Sequence, residues 1–127
     1  MKTIKTILII EDDPYNRELE KTLFERSGYI VLEAGDAEKG IVIAEDEKPD
    51  LIILDFQLPR ISGLQALENL KHNHKTQAIP CVFVTASATD DQIDQLKSSD
   101  ACGYVTKPIN TRTFVKQVVE FAKTHAQ

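Results

Sequence analysis

A few side chains in this 127-residue sequence could do chemistry together. The run Glu11-Asp12-Asp13 and the later Asp55 offer carboxylates, Thr85 a hydroxyl and Lys107 an ammonium. Short aliphatic runs precede them: Ile7–Ile10 before the acidic run, Leu51–Leu54 before Asp55, Val82–Val84 before Thr85, and Tyr104-Val105 before Thr106-Lys107-Pro108. Clustered carboxylates resist ionising together unless a cation is near. Mg²⁺ suits them, because it takes one or two carboxylates, keeps waters and draws its remaining ligands from a phosphate. A lysine ammonium can pair with a carboxylate or a phosphoryl oxygen, and a hydroxyl can donate to one more. A carboxylate nucleophile, a metal and two such donors make an acyl-phosphate site. Each residue alone has a plainer reading: Asp13 as a helix N-cap, Thr85 as β-branched strand filler, Lys107 as a solvated lysine. Their placement after four different aliphatic runs, in order, favours the shared site.

The elements that must position them follow from the hydrophobic pattern. The aliphatic runs, with Ile30–Leu32 added, are short and rich in Ile and Val, which predicts five strands. Helical patterns lie between them. The first opens at Asp13-Pro14, with Tyr15, Leu19 and Leu23 stepping along one face and Gly28 as its stop. A second starts at Asp36 and shows Ala37, Gly40, Ile41 and Ala44 as one stripe. The third carries Leu64, Leu67 and Leu70. The fourth opens on a candidate capping box, Thr89 with Gln92, followed by Ile93 and Leu96. The fifth starts near Asn110 and buries Phe114, Val115, Val118 and Phe121. Alternating strands and helices predict an α/β fold, a parallel sheet covered on both faces. Ligands in such sheets bind beyond the carboxyl ends of the strands, where the winding reverses. The residues singled out above stand there. If the first and third strands pair at ~4.8 Å, Asp12, Asp13 and Asp55 are close.

Composition narrows the classes. With 42% apolar and 28% charged residues, the chain is an ordinary globular mix and not a disordered or collagenous one. Fifteen basic against twenty acidic residues give a net charge of −5, which argues against binding a nucleic-acid backbone. No aliphatic run approaches the ~20 residues that span a bilayer, and the acidic run cuts short any resemblance of the start to a signal peptide. A cytoplasmic protein without membrane contact is expected. Cys81 and Cys102 form no Cys-x-x-Cys and read as reduced, small hydrophobes. His72 and His74, two apart in a predicted loop, are a poor metal signature.

At this point the sequence resembles a known family over its whole length, residues 1–127. The stretches Ile9-Ile10-Glu11-Asp12-Asp13, Pro49-Asp50-Leu51-Ile52-Ile53-Leu54-Asp55, Leu58-Pro59, Ser62-Gly63-Leu64, Val84-Thr85-Ala86 and Tyr104-Val105-Thr106-Lys107-Pro108 are similar to the receiver domain of bacterial two-component response regulators. The resemblance implies a flavodoxin-like, doubly wound five-stranded parallel sheet of order 2-1-3-4-5 with five helices. It implies Asp55 as phosphoacceptor, and Mg²⁺ as cofactor on Asp12, Asp13, Asp55 and the backbone carbonyl of Gln57. It further implies Thr85 as switch hydroxyl, Tyr104 as switch aromatic, Lys107 as the phosphate-pairing lysine and a cis Lys107-Pro108 bond. The implied partners are a sensor histidine kinase or histidine phosphotransfer protein and a downstream protein effector. The implied state is a monomer or a phosphorylation-linked dimer, and the implied readout is the face of the fourth helix, fifth strand and fifth helix. Ser62 departs from the family's usual Asp. Gln57 and Ser87 occupy its variable tuning positions. Cys102-Gly103 replaces the acidic pair of many DNA-binding members.

Three other readings are open to the same residues. An aspartyl-nucleophile phosphatase would place a second Asp two residues after the first, where Gln57 stands and cannot usefully transfer protons. A flavin-type cofactor binder on the same fold would need a Gly-, Ser- or Thr-rich phosphate loop after the first strand, where the acidic run stands. An unphosphorylated docking module would have no use for the full set of residues.

Overall fold

The structure, a computed structural model, describes residues 3–86 and 89–125, without the side chain of His125. Ser87 lies outside the described residues. Five parallel strands, β1 (Thr6–Ile10), β2 (Ile30–Ala34), β3 (Leu51–Asp55), β4 (Cys81–Thr85) and β5 (Gly103–Thr106), form one sheet in the order β2-β1-β3-β4-β5. The helices α1 (Pro14–Arg26), α2 (Ala37–Glu47), α3 (Gly63–Lys71), α4 (Asp90–Ser98) and α5 (Phe114–His125) connect and follow them. This is the flavodoxin-like arrangement expected. Chain winding reverses between β1 and β3, which pair directly with Ile10 beside Leu54.

Two cores flank the sheet because alternate residues of each buried strand point to opposite faces. Leu8, Ile10, Ile52, Leu54 and Phe83 pack on one face with Ala37 and Ala44 of α2 and Leu67 and Leu70 of α3. Ile7, Ile9, Ile53, Val82 and Val84 pack on the other with Phe24 of α1 and Phe114 and Val118 of α5. Phe24 and Phe114 meet edge to face at 5.6 Å, which joins α1 to α5 across that second core. No helix among the described residues is long and apolar enough to cross a membrane.

The helix starts follow capping chemistry. Asp13, Asp36, Ser62 and Thr89 are N-caps whose side chains accept backbone N–H groups of the first turn. The reciprocal capping box belongs to Ser62 and Gln65, which the pattern did not single out. At Thr89 the side chain accepts from the Gln92 N–H, but Gln92 Oε1 is buried without a partner. The predicted stripe of α1 is corrected at its first residue. Tyr15 is 76% exposed, Leu19 and Leu23 are half-buried with Leu23 against the second core, and the residues that α1 buries fully are Glu20 and Phe24. The Asp13-Pro14 start fixes the helix phase so that these two, four apart, face the sheet. The segment after Asn110 turns once before α5 begins, with the Phe114 N–H donating to the Asn110 carbonyl.

Candidate functional site

The carboxyl ends of β1, β3, β4 and β5 bring the site together. Asp55 is the last residue of β3 and is 6% exposed. Its Oδ1 accepts the Gln57 N–H at 3.0 Å, a local turn that fixes the carboxylate. Gln57 itself is exposed beside it. Across the sheet, Lys107 follows β5 and reaches over to the β1 end. Its Nζ donates to Glu11 Oε1 at 2.7 Å and stands 3.5 Å from Asp55 Oδ2. The first is a strong charge-assisted hydrogen bond and the second a charge contact at ion-pair range. The Lys107-Pro108 peptide is cis.

The acidic run sorts itself by the geometry of the strand-to-helix turn. Glu11 continues inward from β1 and is 1% exposed, while Asp12 and Asp13 are exposed. One oxygen each from Glu11, Asp12 and Asp55 lies within 4.8 Å of the others. Asp13 is not among them. Its Oδ1 accepts the Tyr15 N–H and its Oδ2 the Asn16 side-chain amide, because Pro14 begins the helix and makes Asp13 its cap. Of the expected metal set of Asp12, Asp13, Asp55 and Gln57, the structure gathers the carboxylates of Asp12 and Asp55, with Glu11 rather than Asp13 beside them. A cue was present in the sequence: Pro at the first helical position assigns the preceding residue to capping, which moves the inward pair one residue back. Three hard oxygen ligands, one of them open to solvent, are a donor set that fits Mg²⁺.

Charge and burial set the protonation of the group. Burial pushes the Glu11 carboxyl up, as do its contact with Asp55 and that residue's charge, while the bonds from Lys107 and the Asp13 N–H pull it down. Burial also opposes the Lys107 ammonium. The Glu11 hydrogen bond and the charges of Asp55, Glu11 and Glu20 outweigh it and hold the lysine above its ordinary value. The ammonium is thus charged at neutral pH, and it is a counter-charge to the acidic group.

Thr85 ends β4 and is fully buried. Its carbonyl accepts the Lys107 N–H at 2.7 Å, which ties the turn carrying the lysine to the end of β4. Tyr104 lies on β5 opposite Phe83 and packs half-buried against the first core. Thr85 is two residues beyond Phe83, so Thr85 and Tyr104 share a face of the sheet on adjacent strands. A residue that the sequence reading did not single out is Glu20, buried on α1 and lining one cavity with Lys107.

The geometry agrees with comparisons to known proteins. A family model described as response regulator receiver domain matches residues 7–119. The polar-differentiation response regulator DivK of Brucella anthropi is 31% identical over 117 residues, covering 92% of this chain and 95% of that protein. Among solved structures, the CheY-like response regulator receiver domain protein of Methanospirillum hungatei superposes with a TM-score of 0.86 at 27% identity, over 97% of each chain. The receiver domain of a sensor histidine kinase from Pseudomonas aeruginosa, solved with a magnesium ion coordinated in its active-site cleft, superposes with a TM-score of 0.85 at 21% identity, over 95% of this chain and 99% of that one.

Proposed function

The chain belongs to the response regulator receiver domain family, and on that premise we propose that Asp55 is a phosphoacceptor working with Mg²⁺. Residues 1–127 act as one such domain, charged by a sensor histidine kinase, a histidine phosphotransfer protein or a small phosphodonor. The observation that carries the reading is the meeting of Asp55 with Glu11, Asp12 and Lys107 at one point, with the ammonium 3.5 Å from Asp55 Oδ2.

In the transfer from a phosphohistidine, an Asp55 carboxylate oxygen forms the new O–P bond as the P–N bond breaks. The bonding electron pair leaves on the imidazole nitrogen. Glu11, Asp12 and Asp55, with the Gln57 carbonyl, are the groups to hold Mg²⁺, which when bound neutralises charge on the transferring phosphoryl oxygens. The Gln57 N–H fixes the orientation of the acceptor carboxylate. Lys107 supplies the ammonium that pairs with the phosphoryl group once it carries about −2. The Thr85 hydroxyl then moves toward a phosphoryl oxygen and opens space on the face it shares with Tyr104. The Tyr104 ring turns inward, and the surface of α4, β5 and α5 changes shape for a protein effector.

Intact-mass analysis after incubation with Mg²⁺ and a small acyl phosphate tests the chemistry. One phosphoryl group is gained by the wild type, and none by Asp55→Ala or in the absence of Mg²⁺. A wild type that takes no phosphoryl group from the small donor or from a phosphorylated histidine phosphotransfer protein leaves the docking-module reading instead.

A further inference from the structure

Glu20 has no part in the steps above, yet it stands behind the site. It lies on the sheet-facing side of α1, one turn before Phe24, and its Oε1 is buried without a hydrogen-bond partner. Packing alone would favour an apolar residue there, since a buried carboxyl with an unmet oxygen is costly. Glu20 lines a cavity of about 220 Å³ between α1 and the segment that follows β5. Asn16 and Leu19 wall this cavity from the helix, and Lys107 and Pro108 from the opposite side. The charged groups facing Glu20 are Glu11 from the end of β1, Asp55 from the end of β3 and Lys107 itself.

Lys107 is therefore held at the front of the site by Glu11 and Asp55, and it lines a cavity whose other wall carries an unpartnered carboxyl. A divalent cation on Glu11, Asp12 and Asp55 draws on the same oxygens that hold the ammonium, and repels it. The lysine stem is flexible enough to change partner without moving the backbone.

Resting on the phosphoacceptor reading, we propose that Glu20 is a positioning residue for Lys107, holding the ammonium at the rear of the site while a divalent cation occupies the carboxylate cluster and releasing it forward when Asp55 carries a phosphoryl group. Burial, Glu11 and Asp55 push the Glu20 carboxyl up to about 8, against the pull of Lys107. Near neutral pH it is a neutral acid, and it gives its proton to solvent as it takes the ammonium.

Two measurements test this. The first uses Mg²⁺ and no phosphoryl donor. In the wild type, saturating Mg²⁺ brings a nuclear Overhauser contact between the Lys107 ε-methylene and the Glu20 γ-methylene. In Glu20→Gln the contact is absent. A wild type without this contact at saturating Mg²⁺, or an equal contact in Glu20→Gln, overturns the proposal.

The second follows phosphorylation by a small acyl phosphate at saturating Mg²⁺. Because the wild-type ammonium is retained at the rear, Glu20→Gln raises the rate about threefold or more. In a Lys107→Ala background the same substitution changes nothing. Equal wild-type and Glu20→Gln rates, or a Glu20→Gln effect undiminished in the Lys107→Ala background, overturn the proposal. The two readings fail separately. A wild type that shows the contact but takes no phosphoryl group upholds the positioning role and sinks the phosphoacceptor, while normal phosphorylation without the contact does the reverse.

Discussion

Asp12 and Asp13 are adjacent and chemically identical, and the start of α1 at Pro14 gives them separate work. Asp12→Ala abolishes Mg²⁺ binding, read as loss of the Mg²⁺-dependent rise in melting temperature. Asp13→Ala keeps that rise and costs about 0.5–2 kcal/mol of stability, the usual loss for an N-cap. Glu20 leaves a mark on pH dependence. Its carboxyl titrates near about 8 in the fold, against about 4.5 when unfolded. Between those values the native state binds the extra proton, so stability falls as pH rises through the window and the loss is complete above 8. The penalty at high pH is on the order of 3–5 kcal/mol. Urea melts at pH 5 and pH 9 show this difference shrinking in Glu20→Leu. Asp55, Thr85, Lys107 and Asp12 were legible in the sequence because each follows an aliphatic run that ends at a sheet edge. Glu11 is legible only through Pro14, which assigns Asp13 to capping and so moves the inward pair one residue back. Glu20 was hidden because a glutamate within a helix reads as solvated, and only its spacing of four from Phe24 betrays the buried face.

At the scale of elements, α3 is held unusually close to the end of β3. A Cβ at Gly63 would stand 2.8 Å from Phe56 Cα and 2.9 Å from the Phe56 carbonyl oxygen, and the Gly63 N–H donates to that same oxygen. Backbone cannot step aside as a side chain does. Gly63→Ala therefore shifts the start of α3 and costs about 1–3 kcal/mol in chemical denaturation. Because the displaced segment includes Phe56, next to Asp55, the same variant also slows phosphoryl uptake. The loop between β3 and α3 is fastened from its other end by Arg60, which sits at φ 65° and pairs with Glu38 at 3.0 Å and Asp36 at 3.2 Å. Aliphatic runs were enough to locate the strands: β1, β3 and β4 are buried on both faces and carry little else, while the edge strands β2 and β5 are partly exposed and show shorter runs. Helix existence was equally plain, and helix phase was not. In α1 an exposed Tyr15 and a buried Glu20 exchange the places that hydrophobicity alone assigns them.

For the whole molecule, the sheet separates two cores with no buried residue in common. Ile52 belongs to one and Ile53 to the other, although they are neighbours in β3. Ile52→Val and Ile53→Val each cost about 0.5–1.5 kcal/mol, and the double variant shows their sum to within about 0.5 kcal/mol, since no packing partner is common to both. A larger departure in the denaturation midpoints would show that the two layers act as one. The strand order was not contained in the periodicity, which specifies how many strands alternate with helices but not which become neighbours. It came from family motifs, and the pairing of β1 with β3 bears it out. That order also has a temporal side. Glu11 belongs to the first strand's end and Lys107 to the last, so a nascent chain carries these acidic residues long before the lysine that pairs with them is synthesised. Until β5 docks on the sheet's edge beside β4, Asp55 lacks this ammonium and the β4 end lacks the turn that carries it. On the function proposed above, a ribosome-bound fragment ending before β5 is without the ammonium that would pair with a phosphoryl group, and charging waits for the finished sheet.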